Sequence, residues 1–214
     1  MAEKSWDVTN LGADQLVRAS KVVGRAFRND PALRFLIPED ARRVSLAPSL
    51  LGGMVRYCLL YGEVYATADL EGIACWLPPG EPVPDFSPRA VIRALRAGLL
   101  AGIPGLGRKG LGRLLRWTRY TDELHRRLAP GPHWYLWLLG VEPSQQGRGI
   151  GAALLRPVLA RADAEGMLCY LETQNERNVR FYRKQGFQVV SDGEVPGHEL
   201  RVWVMVRKPR EDHE

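Results

Sequence analysis

Cysteine and histidine are scarce in this sequence, and neither is arranged to hold a metal. Cys58, Cys75 and Cys169 are odd in number, lie far apart and sit among apolar neighbours. That is the pattern of buried free thiols in a reducing compartment, so a cytoplasmic location is expected. His125, His133, His198 and His213 show no ligand spacing, and no structural metal is expected. Long apolar runs are missing too. The longest weakly polar stretch, Ala97 to Gly107, is broken by Gly98, Gly102, Pro104, Gly105 and Gly107. A membrane-spanning helix needs about 20 apolar residues, so no transmembrane segment is expected. The start, Met1 to Asp7, has no apolar stretch behind a basic head, which argues against a secretory signal.

Acidic residues are absent from one long block. Between Phe86 and Thr121 there is none, while Arg89, Arg93, Arg96, Arg108, Lys109, Arg113, Arg116 and Arg119 are all cationic. The whole chain carries only +6, so the remainder is net acidic. Such a block could face phosphates, an anionic lipid surface or nucleic acid; a solvated helix face is the plainer reading. Nucleic-acid binding usually adds stacking aromatics. Only Phe86, Trp117 and Tyr120 qualify in the block, so no nucleic-acid partner is expected.

What is present is an ordinary globular balance, with 45% hydrophobic and 25% charged residues over 214 positions, enough for a sizeable core. Trp6 to Thr9 reads as a first strand and Ala13 to Phe27 as a helix, ended by Asn29-Asp30-Pro31. A second helix covers about Ala41 to Leu60. Strands at Glu63 to Ala68 and Ile73 to Leu77 form a hairpin, stopped by Pro78-Pro79-Gly80. Ser87 and Pro88 open a helix from Arg89 to about Leu100, and another covers Leu111 to Leu128. Residues 86–132 thus read as a helical insertion within a single domain, 1–214. Trp134 to Val141 is nearly all apolar, as in a strand buried on both faces. A helix from Ile150 to Glu165, a strand from Met167 to Thr173 and a helix from Asn178 to Gln185 follow. Phe187 to Val190 and Leu200 to Val206 supply two last strands. The fold class is α/β with a mixed sheet.

The chemistry concentrates between Val141 and Ile150. Gln146-Gly147-Arg148-Gly149-Ile150-Gly151 joins a strand to a helix. Glycines let backbone N–H groups approach a ligand, and the helix N-terminus adds unpaired donors and partial positive charge. This is an anion site suited to a diphosphate, with Arg148 adding a full charge. A Walker loop needs Gly-Lys-Ser/Thr, which Gly151-Ala152-Ala153 lacks. A Rossmann turn fits Gly147-Arg148-Gly149-Ile150-Gly151-Ala152, with Glu172 near the expected distance. However, five residues including Pro143 delay it after its strand, and too few strands follow.

The third option is Q-x-x-G-x-G, met by Gln146, Gly149 and Gly151. With the later stretch Asn175 to Phe187, matching N-x(6)-Y-x-x-x-G-F, the chain resembles the GNAT superfamily of acetyl-CoA-dependent N-acetyltransferases from Trp134 to about Val206. The resemblance implies a GNAT-like fold and acetyl-CoA as cosubstrate. It places pantetheine along Leu139, Gly140 and Val141 and the pyrophosphate on Gln146, Gly147, Arg148, Gly149, Ile150 and Gly151. Gly140 supports this, since glycine weakens a strand unless something approaches it. The resemblance makes Tyr182 the general acid for the thiolate, and a phenol of pKa ~10 is protonated at neutral pH. Asn175 and Asn178 could bond the cofactor or cap their helix. No acid lies on the strand from Trp134 to Leu139, where some relatives carry a glutamate. Glu172 is the first choice of base, with Asp30, His198 and Glu199 as alternatives. The expected acceptor is a primary amine, most readily of a small molecule, for which Trp76, Trp117 and Tyr120 could supply flat apolar walls. A non-catalytic acyl-CoA-binding protein is the rival class, and a homodimer is compatible with the sequence.

Overall fold

A computed structural model describes residues 6–81 and 88–210. The polar start Met1 to Ser5, the proposed insertion boundary at Phe86 and Ser87, and His213 lie outside the described residues. Seven strands form one sheet in the order β1-β2-β3-β4-β5-β7-β6. They are β1 Val8–Asn10, β2 Glu63–Thr67, β3 Gly72–Leu77, β4 His133–Val141, β5 Leu168–Thr173, β6 Gln188–Glu194 and β7 Arg201–Arg207. Every neighbouring pair is antiparallel except β4 and β5. A parallel pair needs a crossover, and the helix between these two strands supplies it. The fold is therefore mixed α/β, as expected.

The helices are α1 Leu16–Ala26, α2 Pro31–Leu36, α3 Asp40–Tyr61, α4 Pro88–Arg96, α5 Gly107–Leu128, α6 Ile150–Ala164 and α7 Glu176–Lys184. One core lies on the face covered by α1, α3 and α5, around Val23, Val55, Tyr57 and Tyr135. The other lies under α6 and α7, around Trp76, Trp134, Leu154 and Phe187. Both faces of β4 are thus covered, which explains its continuous apolar run.

Several boundaries differ from the sequence reading. Asn29-Asp30-Pro31 was expected only to stop a helix, yet it also starts α2. Asp30 accepts from the Ala32 N–H at 2.9 Å, and Pro31 occupies the first turn, so the residues that end one helix cap the next. Helix α4 ends at Arg96, with Gly98 at φ +65° following it, and α5 begins four residues earlier than expected. β6 runs to Glu194.

Helix α3 also corrects the apolar survey, being long and apolar enough to cross a bilayer by length and composition. Its Ala47, Leu51, Val55, Tyr57 and Cys58 are buried in the core, and it packs closely on α1. A Cβ at Gly24 would lie 2.8 Å from Pro48 Cγ, so that contact requires glycine.

The segment carrying α4 and α5 separates β3 from β4 in sequence although they are neighbours in the sheet. Its cations are not all solvated. Arg113 donates to Phe35 O at 3.1 Å, Arg116 lies 3.0 Å from His198 Nε2, and Arg93 pairs with Glu81. Arg89, Arg96, Arg108, Lys109 and Arg119 have no partner among the described residues.

Candidate active site

β4 and β5 pair only at their first residues, His133 with Leu168, Trp134 with Cys169 and Tyr135 with Tyr170. Beyond Tyr135 the two strands part. A bulge adds to the divergence: Leu136 faces Trp76 and Leu138 faces Cys75 on β3, leaving Trp137 as the extra residue. Trp137 and Leu138 consequently both belong to the α1/α3 side, while Leu139 and Val141 return to the α6/α7 side. The β5-facing edge of β4 from Leu136 to Val141 has no strand partner among the described residues. An extended ligand could add there through main-chain hydrogen bonds. Leu139, Gly140 and Val141 lie on this open stretch.

Gly140 is also closely approached from within the chain. A Cβ would lie 3.2 Å from Phe27, 3.3 Å from Ala26 and 3.4 Å from Val23. What approaches this glycine closely is α1.

The turn after β4 has the conformation of an anion site. Gly147 and Gly149 have φ of +79° and +85°, values that favour glycine. Gly149 is the N-cap of α6, whose first helical bond runs from Ala153 N–H to Gly149 O at 3.0 Å. The N–H groups ahead of Ala153 have no helical acceptor and carry the positive end of the dipole. Ile150 contributes only backbone, because its side chain is buried in the core. Gly151 admits Phe181, which would lie 3.0 Å from a Cβ there. Gln146 Nε2 donates to Val141 O at 3.1 Å, so its side chain braces the turn. Arg148 bonds the Gln145 amide, and its carbonyl accepts from Trp6 Nε1 at 3.0 Å. Trp6 is a site neighbour missed by the sequence reading; it lies 142 residues away in the chain, and no local pattern links the two.

At the other lip, Asn175 caps α7 by accepting from the Arg177 N–H at 3.1 Å. Its amide nitrogen is then the group left for a ligand. Asn178 Nδ2 donates to Thr173 Oγ1 at 3.3 Å. Tyr182 is buried between the rings of Phe181 and Phe187, at 5.1 and 5.8 Å between centroids. Its hydroxyl makes no hydrogen bond among the described residues. Burial, with the charge of Asp30 adding to it, raises the phenol pKa, so this group stays protonated.

Glu172 sits on the opposite side of the sheet, two residues past the last β4–β5 pair. Tyr135 donates to its Oε2 at 2.6 Å and Tyr170 to its Oε1 at 2.8 Å. Burial pushes the carboxyl up to about 7, against the opposing effect of the two phenol donors. Helix α5 closes this cluster. His125 of α5 stacks on Tyr170 at 4.2 Å and meets Tyr135 edge-on at 4.8 Å. His125 and His133 approach through their Nε2 atoms at 2.7 Å, and His133 Nδ1 lies 2.7 Å from Gly131 O. If both rings are neutral, the Gly131 contact requires the proton on His133 Nδ1, so His125 Nε2–H is the donor between them. Burial lowers the His125 pKa to about 4, consistent with a neutral ring. The alternation rule could have found Tyr170, which shares a face with Glu172 at i, i+2.

The other candidate bases are placed differently. Asp30 is half-buried at the α2 cap, with its carboxyl raised to about 6 by desolvation. His198 is held by Arg116 and Phe35, and Glu199 is exposed. Trp76 cannot wall an acceptor pocket, since it is fully buried under α6 against Trp134.

Residues 108–187 match the acetyltransferase (GNAT) family. An uncharacterized N-acetyltransferase of Schizosaccharomyces pombe is 27% identical over 176 residues, covering 79% of this chain and 69% of the relative. A mycothiol acetyltransferase of Propionibacterium freudenreichii is 37% identical over 78 residues; they cover 35% of this chain and only 23% of that longer protein. Among solved structures, a Corynebacterium glutamicum protein described as histone acetyltransferase HPA2 and related acetyltransferase aligns with a TM-score of 0.60 at 20% identity, over 98% and 99% of the two chains. A Drosophila melanogaster polyamine N-acetyltransferase aligns with a TM-score of 0.60 at 14% identity, over 95% and 100%. At those identities the structures speak for the fold. The matched segment and these relatives make the chain similar to the GNAT acetyltransferases, its fold agrees with theirs, and the enzyme class these similarities support is N-acetyltransferase.

Proposed function

We propose that the chain transfers an acetyl group from acetyl-CoA to the primary amine of a small molecule by direct attack. The observation that carries this reading is the gap between β4 and β5, with the glycine turn at its mouth and Glu172 and Tyr182 on opposite faces of the sheet. Acetyl-CoA supplies the activated thioester. The residues present suit it: left-handed glycines and free α6 N–H groups for a diphosphate, and an open strand edge for an extended amide chain. Arg148 and the Asn175 amide nitrogen are further donors.

A main-chain N–H on the open part of β4 polarises the acyl oxygen. Glu172 takes the proton from the attacking amine as the N–C bond forms. The C–S bond breaks at the same acyl carbon in the gap, where Tyr182, coming from the α6/α7 side, gives its proton to the sulfur. An acid and a base on opposite faces keep the two proton transfers apart. The carboxyl near 7 suits a base at neutral pH, and the raised phenol remains a donor.

The small-amine reading draws on the Drosophila neighbour, a polyamine N-acetyltransferase by description. It also draws on Trp137 of β4, a partly buried aromatic side chain on the α1/α3 side of the open edge. The runs from Tyr135 to Gly151 and from Leu171 to Phe187 resemble puromycin N-acetyltransferase, itself an enzyme acting on a small amine. Three free buried cysteines suit a cytoplasmic location. The test is a panel of small amines, peptide N-termini and lysine peptides assayed by release of free CoA. Turnover with small amines supports the proposal; turnover with peptides alone moves the acceptor to proteins.

A further inference from the structure

Helix α4 is built inside out. Ala90, Ala94 and Ala97, at its end, face the protein, with 1%, 6% and 0% exposure. Val91, Ile92 and Leu95 face outward, at 38%, 50% and 59%. A surface helix normally turns its large apolar side chains inward, because the gain from burial grows with apolar area. With 3.6 residues per turn, Ile92 and Leu95 form the centre of the outer face, and Arg89 and Arg96 border it on one side. Neither arginine has a partner among the described residues. Further along the same insertion Leu100 and Leu111 are also exposed, beside the unpartnered Arg108 and Lys109.

We propose that the outer face of α4 docks on an anionic lipid surface. Val91, Ile92 and Leu95 enter the boundary between headgroups and acyl chains, and Arg89 and Arg96 meet the lipid phosphates. Charge selects this occupant. A symmetric pairing with a second copy through this face would set cations against cations, with no acidic residue between 88 and 121 to relieve them. Nucleic acid would satisfy the arginines and leave isoleucine and leucine unused. A lid over the catalytic gap would need its apolar side turned inward, where this helix has alanines. The proposal does not depend on acetyl transfer.

The experiment is co-sedimentation of the full chain with vesicles of phosphatidylglycerol and phosphatidylcholine in equal parts, against phosphatidylcholine alone. Binding is expected only to the anionic vesicles and should weaken with salt. Ile92→Ser with Leu95→Ser should abolish it. Arg89→Ser with Arg96→Ser should weaken it roughly 25-fold, about fivefold for each cation near an anionic surface. All four positions are exposed, so the melting temperature should hold in both variants. Absence of anionic-vesicle binding, or binding indifferent to Ile92 and Leu95, overturns the proposal. A dimer abolished by the Ile92/Leu95 pair, or a DNA shift abolished by the arginine pair, would assign the face to another occupant and overturn it equally.

Discussion

The Tyr135 hydroxyl donates to Glu172 at 2.6 Å across the point where β4 and β5 part. The bond ties the carboxylate to the last residue of β4 that still pairs with β5, and Tyr170 holds the second oxygen. A half-buried group fixed this way at the edge of a gap is held in position.

Glu172→Gln should lower kcat/KM by about 10²- to 10⁴-fold at pH 8, the usual worth of a positioned base. In the parent protein activity should rise with pH through about 7, where the carboxyl ionises, and the variant should lose that limb. Stability carries the opposite sign. The folded-state pKa is raised, so the folded chain holds this proton more tightly than the unfolded one. The contribution is present at low pH and shrinks as pH rises from the ordinary carboxylate range towards 7. Thermal melts across that window should show a smaller fall for the variant. A parent profile with no ionisation near 7 would remove Glu172 as base.

Tyr182→Phe separates catalysis from structure. The hydroxyl makes no hydrogen bond within the described residues, so its loss should leave the melting temperature unchanged or slightly higher. Removing an acid needed only at the transition state should lower kcat about 100-fold or more, with little change in acetyl-CoA affinity. An unchanged kcat in a normally folded variant would rule it out.

Two glycines separate turn chemistry from packing. Gly149→Ala forces a side chain into φ +85° at a cost of about 1–2 kcal/mol, and should weaken acetyl-CoA binding by calorimetry. Gly140→Ala presses on Phe27, Ala26 and Val23. It should destabilise by about 1–3 kcal/mol in denaturant melts. Equal losses of affinity and stability in both variants would erase the distinction.

The sheet and most helices were legible because β4, β5, α6 and α7 carry strong apolar patterning and glycine punctuation. The short α2 was not, since Asp30-Pro31 reads as a stop when only the preceding helix is in view. The packing of Gly140 against α1 was not visible, because α1 is distant in sequence. Of the Glu172 environment, the carboxylate could be named from the strand end. Its setting could not, because Tyr135 and His133 arrive from β4 and His125 from α5. Trp6 at the glycine turn is the same kind of case. Contacts between distant segments decide these details, and local periodicity carries no trace of them.

The most direct measurement is acetyl transfer itself. The chain is incubated with acetyl-CoA and a primary-amine panel, following free CoA and the acetylated amine together by mass spectrometry. The account expects at least one amine to gain a single acetyl group in step with CoA release, with both lost in Glu172→Gln. Tight acetyl-CoA binding with no acceptor turned over, or no binding at all at millimolar concentration, would contradict it.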